Sequence, residues 1–301
     1  MALAFILGLA LIIAFFSMRP TLLREAADPR FHPLGVAEIE AGLNRLQDET
    51  LPMVSLLPGT GASEPAGSRL GGPIWVPDPA TSWPVDETGT HLLHVAQLNF
   101  ADLEPPDGFP RTGVLQVFVR HDGTGLPAPG IAQAEADGLC VRWYEMPGGG
   151  TALPVPDPLC ALERGMLASR QARVAGVPLR PMRQHLPANP FVWPYVDDVY
   201  LNLTQRRPAN DVAARMQNGL SAHFDTILNA YGGHWIGGYP GFKGRDPRRR
   251  NAELRGLDRV LLHLGFDKHV CIGDAGTLNV LISGANLRNR RFDRAYCSVD
   301  V

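Results

Sequence analysis

The chain has 301 residues, which is enough for one large domain or two of ordinary size. An apolar fraction of 45% with 19% charged residues excludes a disordered chain, and 32 glycines with 27 prolines favour short β elements joined by turns. The formal net charge is only -2, although residues 241–301 hold 12 Lys/Arg against 7 Asp/Glu. This basic segment suits an anionic partner, or arginines that pair with acidic side chains elsewhere. Nucleic acid is not expected, since no helix-turn-helix, zinc-finger or aromatic RNA-binding motif accompanies the arginines.

The first seventeen residues, Met1–Ser17, contain no charged side chain. As a helix they would span roughly 25 Å, slightly less than the ~30 Å of a hydrocarbon core. A cleaved signal peptide normally begins with basic residues and a buried core helix normally has a polar face, so we predict a transmembrane anchor over residues 1–18. Arg19 and Arg24 follow it, which favours a single-pass protein of the inner (cytoplasmic) membrane with its globular part in the cytoplasm.

Residues 19–64 are predicted to be a linker of helix and loop, with an amphipathic helix near 35–49 where apolar residues recur at helical spacing. Residues 211–230 carry an apolar side chain at every fourth position and predict a second, clearer helix. Short apolar segments bounded by Gly and Pro predict strands at 92–100, 114–119, 141–145 and 200–204.

Two parts of the chain, near 68–120 and 234–300, share one order of motifs. Each has a Gly-Gly pair close to a proline, an apolar strand containing Leu-Leu-His, and a strand that follows a glycine. From this recurrence we predict an α+β fold, mainly antiparallel sheet with internally duplicated β-rich halves and a few helices, preceded by the N-terminal transmembrane helix. The globular domain is predicted to cover residues 65–301.

His94 and His263 occupy the same position of the repeated strand. If a pseudo-two-fold relates the halves, the two rings would approach each other and form a polar or metal-binding centre with Asp267 or Asp274. The alternative is a hydrogen-bonded strand histidine in each half.

Several motifs resemble a known family. The second copy contains His-Trp-Ile-Gly-Gly-Tyr-Pro at 234–240, Asp-Pro-Arg at 246–248 and Gly-Asp-Ala-Gly at 273–276, and the first contains Ser-Arg-Leu-Gly-Gly-Pro at 68–73. In this order, over roughly residues 65–300, they resemble the bacterial YwqG-like family, a domain of unknown function (DUF1963). One departure is Ile272, where family members often have an aromatic residue. The resemblance implies a fold and lends no activity.

No catalytic residue, cofactor or metal site is predicted, because the familiar hydrolase, nucleotide-binding and zinc motifs are absent and the four cysteines include no Cys-x-x-Cys pair. The candidate ligand site is the second Gly-Gly turn, whose amides suit an anion. Its predicted residues are His234, Gly237, Gly238, Asp246, Arg248 and Asp274. Two alternatives stay open there: a tight turn with a packed tyrosine, and a capping role for Asp274.

The function expected from the sequence is a membrane-anchored module that binds a protein or a ligand, with immunity-like sequestration of a toxin as one form. The rival is an enzyme or receptor that acts on a small anionic ligand at the second Gly-Gly turn. The rival requires the side chains of His234, Asp246, Arg248 and Asp274 to converge on one concave pocket. A third hypothesis is that the arginine clusters bind anionic lipid beside the anchor.

Overall fold

The structure is a computed structural model that describes residues 34–121, 130–131, 138–145, 148–162, 165–205, 210–230, 233–243, 246–273 and 276–300. The transmembrane helix predicted over residues 1–18 lies outside these ranges. Within them, no helix combines the length and the apolar character needed to cross a membrane.

The described residues form thirteen strands, eleven of which join in one antiparallel sheet. The strands of this sheet are β1 (Thr50–Pro58), β2 (Arg69–Leu70), β4 (Leu93–Asn99), β5 (Val114–Val119), β6 (Gly130–Ile131), β7 (Leu139–Tyr144), β9 (Val177–Pro187), β10 (His234–Gly237), β11 (Arg259–Leu264), β12 (Thr277–Ile282) and β13 (Tyr296–Asp300). Their order is β6-β13-β12-β11-β10-β1-β9-β2-β4-β5-β7. The other two strands, β3 (Ile74–Val76) and β8 (Thr151–Leu153), pair with each other.

The centre of the sheet is the long antiparallel pair of β1 and β9, which runs in register from Thr50 opposite Pro187 to Pro58 opposite Leu179. The strands of the first predicted copy continue the sheet beyond β9, and those of the second copy continue it beyond β1. Neither central strand was predicted, and both contain prolines, which are uncommon in the interior of a sheet. The strand β1 lies in the segment that the sequence assigned to the linker.

The predicted fold class is wrong, although the antiparallel sheet it included is present. The strands of the two copies lie on either side of β1 and β9, which join them edge to edge in one continuous sheet. One hydrophobic core receives side chains from both, including Val95 and Val117 from one side and Leu262 and Val280 from the other. The described fold is therefore a single sheet that wraps around one core with few helices, rather than an α+β fold.

The described helices are mostly short. They are α1 (Val36–Asp48), α2 (Phe100–Leu103), α3 (Asp157–Cys160), α4 (Arg170–Val174), α5 (Asn202–Gln205), α6 (Asn210–Ala230), α7 (Pro247–Arg250) and α8 (Gly284–Arg288), with a π-helix at Val196–Leu201 and 3-10 turns at Ala252–Gly256 and Phe292–Arg294. Helices α1 and α6 confirm the two predicted helices.

The strand predicted at 200–204 is wrong, since these residues are helical. Val199 and Leu203, four residues apart, are both buried and pack against Gly42 of α1. A four-residue spacing of buried side chains is helical, and over so short a segment it resembles the alternation of a strand. This helical segment, together with α1 and α6, forms a layer with its own apolar cluster beside the sheet.

Candidate functional site

The predicted site begins at His234, which is completely buried at the start of β10. Its Nδ1 accepts a hydrogen bond from the Gly265 amide at 3.3 Å, and its Nε2 lies 3.4 Å from Oδ2 of Asp267. Partial burial raises the pKa of Asp267, but the adjacent His234 ring and two backbone amides outweigh it and lower that pKa to about 2. His234 therefore holds the loop after β11, and its ring is not presented to solvent.

Gly237 and Gly238 end β10 with left-handed backbones, at φ values of 71° and 61°. The Gly238 amide donates to the carbonyl oxygen of Pro52 at 3.0 Å, so this donor is already bound within the protein. A Cβ added at Gly237 would lie 2.9 Å from the same oxygen. Glycine is needed here because the turn lies directly against β1, and the turn does not present an open anion-binding nest.

Asp246 and Arg248 form a buried ion pair, in which the Asp246 carboxylate lies 2.7 Å from Nη2 of Arg248. The same carboxylate accepts hydrogen bonds from the Arg248 amide, as the cap of α7, and from the Trp193 amide at 2.9 Å. Arg248 also donates to the carbonyl oxygen of Leu257. These contacts join three segments of chain and leave the pair little capacity to bind a ligand.

Asp274 lies outside the described residues. The other predicted site residues are placed in three different surroundings: His234 under the loop after β11, the glycines against β1, and the Asp246–Arg248 pair beside Trp193. The rival enzyme hypothesis required these side chains to converge on one pocket. The described part of the site shows no such convergence.

His94 and His263 also lie apart. The ring of His94 packs near Trp83 and Phe118, and its Nδ1 donates to the Gly72 carbonyl at 3.0 Å. The ring of His263 stacks on Trp235 with centroids 3.6 Å apart, and its Nδ1 donates to Oδ1 of Asn279 at 2.9 Å. Each is therefore a hydrogen-bonded strand histidine, as the alternative interpretation stated. Among the described residues, no group of three or more His, Cys, Asp or Glu side chains is arranged to hold a metal ion.

The cysteines and most described arginines have structural surroundings as well. Cys140, Cys160, Cys271 and Cys297 are free thiols, and burial raises the pKa of Cys297 to about 12, which makes it a poor nucleophile. On the surface Arg249 pairs with Asp197 at 2.9 Å, and the guanidinium of Arg255 lies over the Trp193 ring. Pairing of this kind was the alternative to an anionic partner for the arginine-rich segments.

An apolar groove of about 590 Å³ lies between α6 and the helical segment 196–205. Its walls carry the half-buried side chains of Phe191, Tyr200, Met216 and Leu220. Its rim is polar and exposed, formed by Thr204, Gln217, Ser221 and Lys243. An apolar, concave site with a few polar groups at its edge is the usual form of a small-molecule site.

The sequence positions the groove through the residues before the π-helix. Tyr195 donates a hydrogen bond to Glu49 and lies 3.0 Å from the hydroxyl of Tyr239, which fixes the start of the π-helix between α1 and the second Gly-Gly turn. Burial and the hydrogen bond to Glu49 raise the pKa of Tyr195, so it remains a donor at neutral pH. π-Helical turns occur frequently at functional sites.

Sequence reasoning missed the groove for two reasons. Tyr200 and Thr204 were assigned to a strand, and Met216 and Leu220 were assigned to the apolar stripe of a helix without a vacant partner.

The comparisons with known proteins agree with the motifs. No curated protein shows significant similarity to the chain. Residues 68–301, well over half of the chain, match the family described as a domain of unknown function (DUF1963). The chain therefore belongs to the DUF1963 family, as the motifs of both copies indicated.

Proposed function

We propose that the protein is a ligand-binding module, and that the groove between the π-helix and α6 binds a small amphipathic anion. The observation that carries the proposal is the groove itself, with aromatic and aliphatic walls and a polar rim. Its volume of about 590 Å³ lies within the range of ligand sites, whereas a protein partner normally needs a much larger surface.

The rim gives the ligand its polarity. Lys243 is the one charged side chain among the residues that line the groove in the described part of the chain. Its backbone is fixed because its amide donates to the carboxylate of Asp300 at the end of β13. A ligand with an apolar body between Phe191 and Leu220 and a carboxylate or sulfonate near Lys243 would match both the apolar walls and the charged rim.

The sequence left a protein partner, a small ligand and an enzyme open. The groove favours the small ligand, and the contacts of His234, Asp246 and Arg248 weaken the enzyme hypothesis at the second Gly-Gly turn. Its remaining predicted participant, Asp274, lies outside the described residues.

The test uses the fluorescence of 1-anilinonaphthalene-8-sulfonate and its displacement by fatty acids. Octanoate and decanoate differ by two methylenes, each worth about 0.8 kcal/mol when buried, so the dissociation constant should fall roughly tenfold from octanoate to decanoate. Lys243→Met should weaken decanoate binding about two- to fivefold, the value of an exposed ion pair, and leave binding of neutral 1-decanol unchanged.

A matched pair of substitutions on α6 locates the site. Ser221→Trp places a large side chain at the exposed rim and should abolish displacement of the dye by decanoate. Asn218 is also exposed but lies outside the groove, so Asn218→Trp should leave that displacement unchanged. Equal binding by both variants, with thermal unfolding unchanged, would show that the probe binds elsewhere and would refute the proposal.

A further inference from the structure

A second cleft, of about 370 Å³, lies between the loop before β5 and the turn after α8. Three arginines line it: Arg111 from the loop, and Arg288 and Arg290 from the turn. The other lining residues are Gly108, Phe109, Pro110, Thr112 and Leu287. Arginine dominates this cleft, whereas the groove beside α6 has one lysine at its rim.

The backbone of Arg290 is unusual. Its φ of 55° is left-handed, one of two such values among the described non-glycine residues. At the end of helix α8 the Arg290 amide donates to the carbonyl oxygen of Leu287, and the Arg291 amide donates to that of Asn286 at 2.8 Å. Helices that end with this pair of hydrogen bonds normally have glycine at the position of Arg290. An arginine therefore lies at a position where the backbone conformation favours glycine. Backbone strain of this kind is concentrated at functional sites.

The contacts that the arginines make are weak and exchangeable. Arg111 pairs with Asp107 at 2.8 Å, and Arg290 pairs with Glu145 at 2.6 Å, and each of these four side chains is about half exposed or more. Exposed ion pairs contribute little, so an incoming anion of higher charge can replace either carboxylate. The described part of the chain gives the exposed Arg288 no hydrogen bond or ion pair.

The surrounding charge favours an anion as well. Between residues 284 and 294 the chain carries four arginines and one aspartate. A guanidinium presents five N–H donors in a planar fork that matches the oxygens of a phosphate group. The described contacts of Arg111 use two of its nitrogens and those of Arg290 use one, which leaves donors on each for a ligand.

We propose that this cleft binds a phosphate group, carried either by a small soluble molecule or by a lipid headgroup, through Arg111, Arg288 and Arg290. The site is separate from the groove beside α6 and does not depend on the function proposed for it.

The experiment is calorimetric titration of the full chain with inorganic pyrophosphate at low ionic strength. We expect one saturable site. Arg288→Gln and Arg290→Gly should each weaken it about tenfold or more, the value of a charged hydrogen bond, and added salt should weaken it further. Arg291→Gln is the matched control, because Arg291 is an exposed neighbour that pairs with Asp293 and does not line the cleft.

A second arm distinguishes the two sources of phosphate. If the site binds a lipid headgroup, the protein should sediment with phosphatidylglycerol vesicles but not with phosphatidylcholine vesicles. This sedimentation should be lost in Arg290→Gly and reversed by pyrophosphate. Pyrophosphate binding without vesicle binding would assign it to a soluble ligand. Two results would overturn the proposal: no saturable binding of either probe, or equal weakening by Arg291→Gln, which would indicate only a general charge effect.

Discussion

Two buried histidines should make the stability of the protein fall between pH 7 and pH 5. Burial lowers the pKa of His94 to about 4, with a smaller lowering from the charge of Arg69, although a hydrogen bond to the Gly72 carbonyl opposes it. Burial likewise lowers the pKa of His263 to about 3, against an opposing hydrogen bond to Asn279. Both oxygen partners can only accept, so the single proton of each neutral ring is on Nδ1.

The direction and the size of this change in stability follow from the difference in histidine pKa between the folded and unfolded states. An unfolded histidine has a pKa of about 6.5 and takes up a proton as the pH falls below that value, whereas the folded rings stay neutral until about pH 4 and pH 3. The unfolded state therefore binds more protons over this interval, and stability is lost as pH falls. At pH 5 both folded rings are still neutral, so the loss from pH 7 is about 2 kcal/mol for each histidine and about 4 kcal/mol for both.

The assay is urea unfolding of the full chain at half-unit steps from pH 7 to pH 5. His94→Gln and His263→Gln should each be less stable at pH 7, since each loses a packed ring, but the pH dependence of each should be shallower by about 2 kcal/mol over this interval. The reasoning fails if the variants keep the slope of the original protein. It also fails if side-chain NMR shows either ring protonated in the folded protein at pH 5.5.

Three further substitutions test individual contacts, two near the second Gly-Gly turn and one in the arginine-lined cleft. Asp246→Asn leaves the buried Arg248 without its counter-charge and should lower the free energy of unfolding by about 3–5 kcal/mol, measured by urea unfolding; a loss below 1 kcal/mol would mean that the pair is hydrated. Gly241→Ala would place a Cβ 2.2 Å from Cε1 of His263, so a loss of about 3 kcal/mol or more is expected, and a variant of unchanged melting temperature would contradict the packing. Arg290→Gly relieves about 1 kcal/mol of left-handed strain and removes an exposed ion pair worth up to about 1 kcal/mol, so its melting temperature should be unchanged or higher; a clear decrease would assign Arg290 a structural role.

The sequence predicted those elements whose own residues determine them. Strands β4 and β5 are short apolar segments bounded by Gly and Pro, and α6 has a regular apolar period, so local pattern was sufficient. The central strands β1 and β9 were not predicted, and their prolines make the local sequence an unusual one for strands in the middle of a sheet. Pro52, for example, lacks an amide proton but accepts the Gly238 amide through its carbonyl oxygen.

The site residues were predicted by type but not by role. Gly237, Gly238, Asp246 and Arg248 have the chemistry of an anion site, and nothing within 234–248 shows that their hydrogen-bonding groups are bound to distant segments. The Trp193 amide, 53 residues from its acceptor Asp246, is the clearest case. Contacts over such distances are set by the tertiary fold, which motif spacing does not contain.

The predicted site and the groove are nevertheless connected. The segment 189–195 leads directly into the π-helix, and residues 239–242 together with Asp246 hold it at several points. Asn189 donates hydrogen bonds to the carbonyl oxygens of Pro240 and Phe242, and the Trp193 amide donates to Asp246. Because the second Gly-Gly turn directs residues 239–242 toward this segment, its motif helps to position one wall of the groove. We therefore expect substitutions in the motif to affect binding of the proposed ligand through the placement of Phe191 and Tyr200, whereas direct contact with that ligand would come from the helical segment 196–205 and α6.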